Sequence, residues 1–152
     1  MMASARVLRV ALVSSVGGHL AELLELESAF VGHACLWVLN DASPVLPPDR
    51  EHVRVSHAER DWRVVWNLFE FAALFARERP DVMVSMGAGP AVPAAVVARL
   101  MGIPVIYIEP SSAVSAPTLT GRLMRLLTPR RYVQWPGLVQ KLPGSRFVGG
   151  LL

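Results

Sequence analysis

His19 stands directly behind two glycines, in the run Ser15-Val16-Gly17-Gly18-His19. Glycines at the turn from a strand into a helix let the backbone approach a ligand closely, and the free amides of a helix start suit an anion such as phosphate. A histidine beside them can take a proton near neutral pH or donate a hydrogen bond to phosphate. A tight turn carrying a surface histidine accounts for the same residues, and the turn alone does not choose between the two. Two further turns carry similar potential: Gly87-Ala88-Gly89 ahead of Pro90, and Glu109-Pro110-Ser111-Ser112. Close packing of a helix on a strand would explain Gly87 and Gly89 equally well. Glu109 ends the apolar run "VIYI". A carboxylate there is not expected to be buried without a partner, so it should face a crevice or meet an arginine. It could then bind a sugar hydroxyl or act as an acid or base, although a helix-capping carboxylate has the same signature.

These turns need elements to hold them. Residues 7 to 14 are aliphatic and β-branched and stop at the glycines, which predicts a buried strand. A helix follows from about His19 to Phe30, with Leu20, Leu23, Leu24 and Leu26 on its apolar face and Glu22, Glu25 and Glu27 largely elsewhere. A strand over 34–39, a proline-rich loop, a brief strand over 52–56 and a long helix come next. That helix is capped by Asp61, runs to about Arg79 and is stopped by Pro80. Beyond it lie a strand over 81–85, a helix ending at Gly102, and a strand over 103–109. The tail reads as a helix over 119–127, a strand over 131–135, a turn and a last strand over 146–149. Strands alternating with helices point to an α/β fold: a Rossmann-like, doubly wound parallel sheet with helices on both faces, spanning residues 1–152 as a single domain. In such a sheet the ligand crevice lies beyond the carboxyl ends of the strands, where the chain reverses direction. That rule puts the three turns in one neighbourhood.

Composition limits the function classes. Hydrophobic residues make up 53% of the 152, yet no stretch reaches the roughly 20 uninterrupted apolar residues of a spanning helix. The N-terminus resembles a secretory signal only faintly, because glycines and an acidic helix stand where a cleavage site belongs, and it is read as the first strand. The one cysteine, Cys35, lies in an apolar run that suits a buried, inert thiol, and a cytoplasmic setting fits it. The net charge of +3 is carried by arginine, with Lys141 the only lysine. Arg122, Arg125, Arg130 and Arg131 cluster without an acidic neighbour, a patch for phosphate groups or an anionic membrane surface. No nucleic-acid motif accompanies it, and the scattered histidines suggest no metal site. Trp62, Trp66, Phe69 and Phe75 recur at helical spacing, as core residues do. Apolar residues nevertheless cover more than one face of that helix, which leaves docking on a membrane or partner open. A dinucleotide-binding oxidoreductase is disfavoured: neither glycine turn completes G-x-G-x-x-G, although Asp41 lies at the distance of a ribose-binding acid.

Taken in order, "SSVGGHLAELLEL", "SMGAGPAVPAAVVARLMGIPVIYIE", "PTLTGRLMRLL", "YVQWPGL" and the final "FVGG" resemble the oligosaccharide biosynthesis family related to the membrane-anchoring subunit of the dolichyl-linked N-acetylglucosaminyltransferase. More distantly, the chain is similar to the acceptor domain of MurG-type transferases. The resemblance implies the N-terminal, acceptor-side half of a split GT-B glycosyltransferase, with a separate subunit supplying the donor domain that holds the UDP-sugar. The acceptor would be a polyprenyl-pyrophosphate-linked saccharide of cell-surface polysaccharide assembly, met at the cytoplasmic face of the membrane. It further implies that Gly17, Gly18 and His19 form the acceptor-facing turn and Gly87 and Gly89 a second crevice loop. Glu109, Thr118, Thr120, Gly121, Gln134, Trp135 and Pro136 fall on family positions. The chain departs from the family at Pro110, at Ala113 and in the "TPRR" segment. The expected reaction is an inverting sugar transfer with His19 as first candidate for the base and Glu109 as second. Ser111, Ser112 and Arg122 would complete the substrate-binding set, with neither cofactor nor metal. A non-catalytic membrane adaptor that recruits a catalytic partner is the alternative.

Overall fold

The computed structural model describes residues 6–40, 50–56 and 62–151. Seven strands form one sheet in the order β3-β2-β1-β4-β5-β6-β7: β1 (Arg9–Ser14), β2 (Ala34–Asn40), β3 (His52–Val55), β4 (Val82–Ser85), β5 (Val105–Ile108), β6 (Arg130–Val133) and β7 (Ser145–Phe147). Every pairing is parallel. The helices are α1 (Gly18–Glu25), α2 (Arg63–Glu78), α3 (Ala91–Leu100), α4 (Leu119–Leu127) and α5 (Leu138–Lys141). The fold is Rossmann-like, as the alternation of elements predicts.

Side chains of β1 alternate between the two faces, as the strand period of two requires. Ala11 and Val13 join Leu36, Val38, Met83 and Tyr107 on the face covered by α2, α3 and α4. Val10 and Leu12 join Trp37, Leu39 and Val84 on the face covered by α1 through Leu20 and Leu23. Burial on both faces is why β1 reads as a continuous apolar run rather than an alternating one. Helix α3 packs on the sheet through small residues: Ala91, Ala94, Ala95 and Ala98, spaced on one helical face, are all fully buried. Pro90 caps it, where a missing amide costs nothing.

Three expectations are corrected. The first helix is shorter than His19–Phe30: α1 ends at Glu25 and the chain tightens into a 3-10 turn over Glu27–Phe30. The turn after β6 contains the short helix α5, and its Leu138 and the Leu142 that follows it pack with Ala113 and Val133 into a small core of their own. The aromatic set of α2 divides. Phe75 is core, while Trp62, Trp66 and Phe69 are 74%, 55% and 66% exposed, so most of that stripe faces outward. The expected cap Asp61 and the candidate ribose-binding Asp41 lie outside the described residues. Among the described residues no helix is long and apolar enough to cross a membrane, and no group of histidine, cysteine and acidic residues could hold a metal ion.

Candidate functional site

From β1 the chain winds outward through β2 and β3, then crosses back to lay β4 on the other side of β1. The loops leaving β1 and β4 therefore depart in opposite directions, which opens a crevice at the carboxyl edge between them. Val13 is paired with Ser85 and Ser85 with Tyr107, so the turns after β1, β4 and β5 leave from adjacent strands. The structure thus brings together the three turns singled out in the sequence.

The first turn requires its glycine. Gly17 has φ +88 and ψ −140, a conformation that side chains resist. Gly18 opens α1, and a Cβ at either glycine would meet no atom within 4 Å, so this side of the turn is open space. No side chain caps α1, and its first amides are free to donate. His19 is half-buried within that first turn, and its Nδ1 is buried with no hydrogen-bond partner among the described residues.

The second turn is tight. Gly87 has φ +105 and Ala88, a non-glycine residue, has φ +68. The Gly87 amide donates to Ser85 Oγ at 3.2 Å, and a Cβ on Gly87 would come within 3.3 Å of the Tyr107 hydroxyl. Gly89 and Ser112 are exposed.

Glu109 does not face the crevice. It is 0% exposed, with Oε2 accepting from the Tyr107 hydroxyl at 2.8 Å and Oε1 from the Thr118 amide at 2.5 Å. Burial, and then the neighbouring Glu109 charge, push the Tyr107 phenol up, which keeps it a donor. Thr118 caps α4 by accepting from the Gly121 amide at 3.0 Å. A Cβ on Gly121 would lie 2.0 Å from Glu109 Oε2, so this glycine makes room for the carboxylate. Glu109, Thr118 and Gly121 are thus committed to one another, a buried anchor between β5 and the start of α4. Thr120 lies beside Gly87, its methyl 3.9 Å from where a Cβ would stand.

A second network was not foreseen. Glu22, placed among the outward acidic residues by helical periodicity, is only 8% exposed. Its carboxylate accepts the Ser111 amide at 3.2 and 3.0 Å, the Ser111 hydroxyl at 2.8 Å and Gln134 Nε2 at 2.6 Å. Gln134 also donates to the Glu109 carbonyl at 3.2 Å and accepts from the Leu151 amide at 3.0 Å. Trp135 Nε1 donates to the Ser111 carbonyl at 2.7 Å. Ser111, Gln134 and Trp135 therefore tie the loops after β5 and β6 to α1. A signal did exist: Glu22 lies one turn after His19 and on the same helical side.

The arginine patch shrinks as well. Arg131 is buried, donating Nη1 to the Thr128 carbonyl and Nη2 to the Pro143 carbonyl at 2.7 Å. Burial, and then Arg125, hold its pKa below the ordinary value. Arg122, Arg125 and Arg130 remain exposed. Cys35 is half-buried rather than fully buried, and burial pushes its thiol up, so it is not activated as a nucleophile.

The chain resembles known proteins over most of its length. It is 31% identical over 113 residues to the mouse UDP-N-acetylglucosamine transferase subunit ALG14, a match covering 70% of this chain and 52% of that protein. It is 31% identical over 100 residues to a pyrophosphoryl-undecaprenol N-acetylglucosamine transferase of Tolumonas auensis, covering 66% and 27%. The chain spans about half the length of the ALG14 subunits it matches. Among solved structures, Acinetobacter baumannii MurG superimposes with a TM-score of 0.72 at 16% identity, over 93% of this chain and 45% of the other. The S. aureus MnaA-UDP co-structure superimposes with 0.74 at 9%, over 95% and 45%. At such identities these structures speak for the fold alone. The family described as "Oligosaccharide biosynthesis protein Alg14 like" matches residues 47–151, which leaves the His19 turn ahead of the matched segment. With that match spanning more than half of its residues, the chain belongs to the Alg14-like family of oligosaccharide biosynthesis proteins.

Proposed function

We propose that this chain is the acceptor-side subunit of a split UDP-sugar glycosyltransferase that extends a polyprenyl-pyrophosphate-linked saccharide, in concert with a separate donor-domain subunit. The observation that carries the reading is the β1 turn. A half-buried histidine stands at an uncapped helix start, on the switch point of the sheet, in a chain of a family named for oligosaccharide biosynthesis. The free amides of α1 suit pyrophosphate oxygens, and the open space at Gly17 and Gly18 admits them. In the reaction, His19 takes the proton of the acceptor hydroxyl as its oxygen attacks the anomeric carbon. The bond from that carbon to UDP breaks on the opposite side, UDP leaves with the electron pair, and the configuration inverts. Glu109 is withdrawn as a second base because both of its oxygens are engaged in a closed site.

The same reading places the crevice at a lipid surface. Along α2 and the Trp62 that precedes it, Trp62, Val65, Trp66 and Phe69 form an exposed stripe spaced i, i+3, i+4, i+7. In α4, Leu119, Leu123 and Leu126 are exposed beside Arg122 and Arg125. Both helices cover the same face of the sheet, and in a parallel fold their starts lie at the crevice edge. Tryptophan beside aliphatic and cationic side chains suits the boundary of an anionic bilayer, which fits peripheral attachment at the cytoplasmic face.

The test is transfer of sugar from UDP-N-acetylglucosamine to a polyprenyl-pyrophosphate acceptor by the reconstituted pair. His19→Ala is expected to lower kcat by roughly 100-fold or more while the subunits still assemble. Wild-type turnover by an intact His19→Ala pair would show the chain to be an adaptor without a catalytic group.

A further inference from the structure

Among the described residues, no side-chain hydrogen bond holds the start of α1. It has no side-chain cap, a Cβ at Gly17 or Gly18 would touch nothing, and His19 Nδ1 has no hydrogen-bond partner among the described residues. The imidazole is therefore placed by wherever the helix itself sits. That helix is only eight residues long and holds the sheet through apolar contacts, with Leu20 and Leu23 buried and Leu24 partly so. Apolar contacts are not directional and permit a short helix to slide or rotate over the sheet.

Glu22 supplies the missing direction. One turn beyond His19, its carboxylate gathers three donors from two other loops: the Ser111 amide and hydroxyl after β5, and Gln134 Nε2 after β6. All three are donors, so the site calls for a group that only accepts, which an ionised carboxylate is and an amide is not. A buried carboxylate without a cationic partner is tolerated where hydrogen bonds replace its hydration, as they do here. Ser111 and Gln134 are themselves held by Trp135 Nε1 and the Leu151 amide, so the clamp is anchored at its far end.

We propose that Glu22 is a positioning residue: it locks the height and rotation of α1 over the β5 and β6 loops and so places His19 in the crevice. The inference rests on the catalytic reading of His19 for its kinetic consequence, but its structural consequence stands independently. In the reconstituted pair, Glu22→Gln keeps the volume and brings an amide against the donors. It is expected to lower kcat by roughly ten-fold or more with KM changed far less, since small misplacements of a reacting group are costly. In a His19→Ala background the same substitution should change kcat by less than about two-fold, because a residue acting through His19 has nothing left to place. Independent multiplication of the two losses would overturn the proposal.

The second readout needs no activity. In the isolated chain, Glu22→Gln should shift the His19 ring proton signals and speed amide exchange across α1, with β1 and β4 still protected. Unchanged His19 signals and exchange in a folded variant would overturn the proposal whatever the reaction is. If the pair showed no transfer at all while this shift appeared, the functional reading would fall and the clamp would stand. Gln134→Met, which removes one donor and keeps the bulk, reads the same shift should Glu22→Gln fail to fold.

Discussion

Gly121→Ala should destabilise the protein, against the usual rule for a glycine inside a helix. At an ordinary helical position alanine gains about 1 kcal/mol over glycine. Gly121 sits in the first turn of α4 with no left-handed strain, so that gain would apply here. Against it, the new Cβ would stand 2.0 Å from Glu109 Oε2, 2.8 Å from Cδ and 3.0 Å from Oε1. The whole carboxylate must move, and it has no free space, being fully buried and held by the Tyr107 hydroxyl and the Thr118 amide. Overpacking costs about 1–3 kcal/mol, and each hydrogen bond to a charged group is worth about 1.5–3 kcal/mol. With one such bond lost and the alanine gain subtracted, the balance is a loss of about 1.5–5 kcal/mol, or roughly 3–20 °C in Tm for a chain of this size. Urea and thermal unfolding followed by circular dichroism measure it directly. The decisive comparison is Glu109→Ala with and without Gly121→Ala. Removing the carboxylate opens the space, so the alanine at 121 should then be neutral or stabilising. A Gly121→Ala protein as stable as wild type, or an equal cost in both backgrounds, would refute the account of this anchor.

The two glycines of the first turn should behave differently despite their adjacency. Gly17→Ala forces a side chain into φ +88 and should cost about 1–3 kcal/mol, whereas Gly18→Ala meets neither strain nor contact and should fold normally, as unfolding midpoints will show. Arg77, and then Arg9, hold the Glu78 carboxyl below its ordinary 4.5. Stability from this pairing is complete above that value and is lost as pH falls through the depressed one, so Glu78→Gln should flatten the decline in unfolding midpoint below about pH 4.5. Replacing Trp66 and Phe69 together by serine removes two exposed apolar side chains. It should weaken binding to anionic vesicles by at least about ten-fold in a flotation assay while leaving Tm nearly unchanged.

Several features were legible in the chain because they are written locally. Continuous apolar runs marked β1 and β2, the α4 boundaries were read as they stand, and Gly17 announced a turn that only glycine makes without strain. The doubly wound class follows from the alternation, and the rule that such sheets place their crevice at the carboxyl ends of the strands made the meeting of the three turns accessible too. The fate of individual polar groups was not. Glu109 reads as a crevice acid from its place after an apolar strand, and only the closure of α4 over it turns it into a buried anchor. Arg131 reads as one of four surface cations until the carbonyls of Thr128 and Pro143 are seen to enclose it.

What the amino-acid sequence determined by itself is the alternation of strand and helix, the doubly wound sheet and the residues at its carboxyl edge. These depend on periodicities of two and of 3.6 that extend over a few residues. The tertiary structure alone decided that α2 leaves Trp62, Trp66 and Phe69 uncovered, because which helix faces are covered depends on packing between distant elements. It alone assigned Glu22 to the site, since the groups that neutralise its burial come from 89 and 112 residues further along the chain. A hydrogen bond has no sequence period, so its partners become known only when the fold brings them within three ångströms or so of one another.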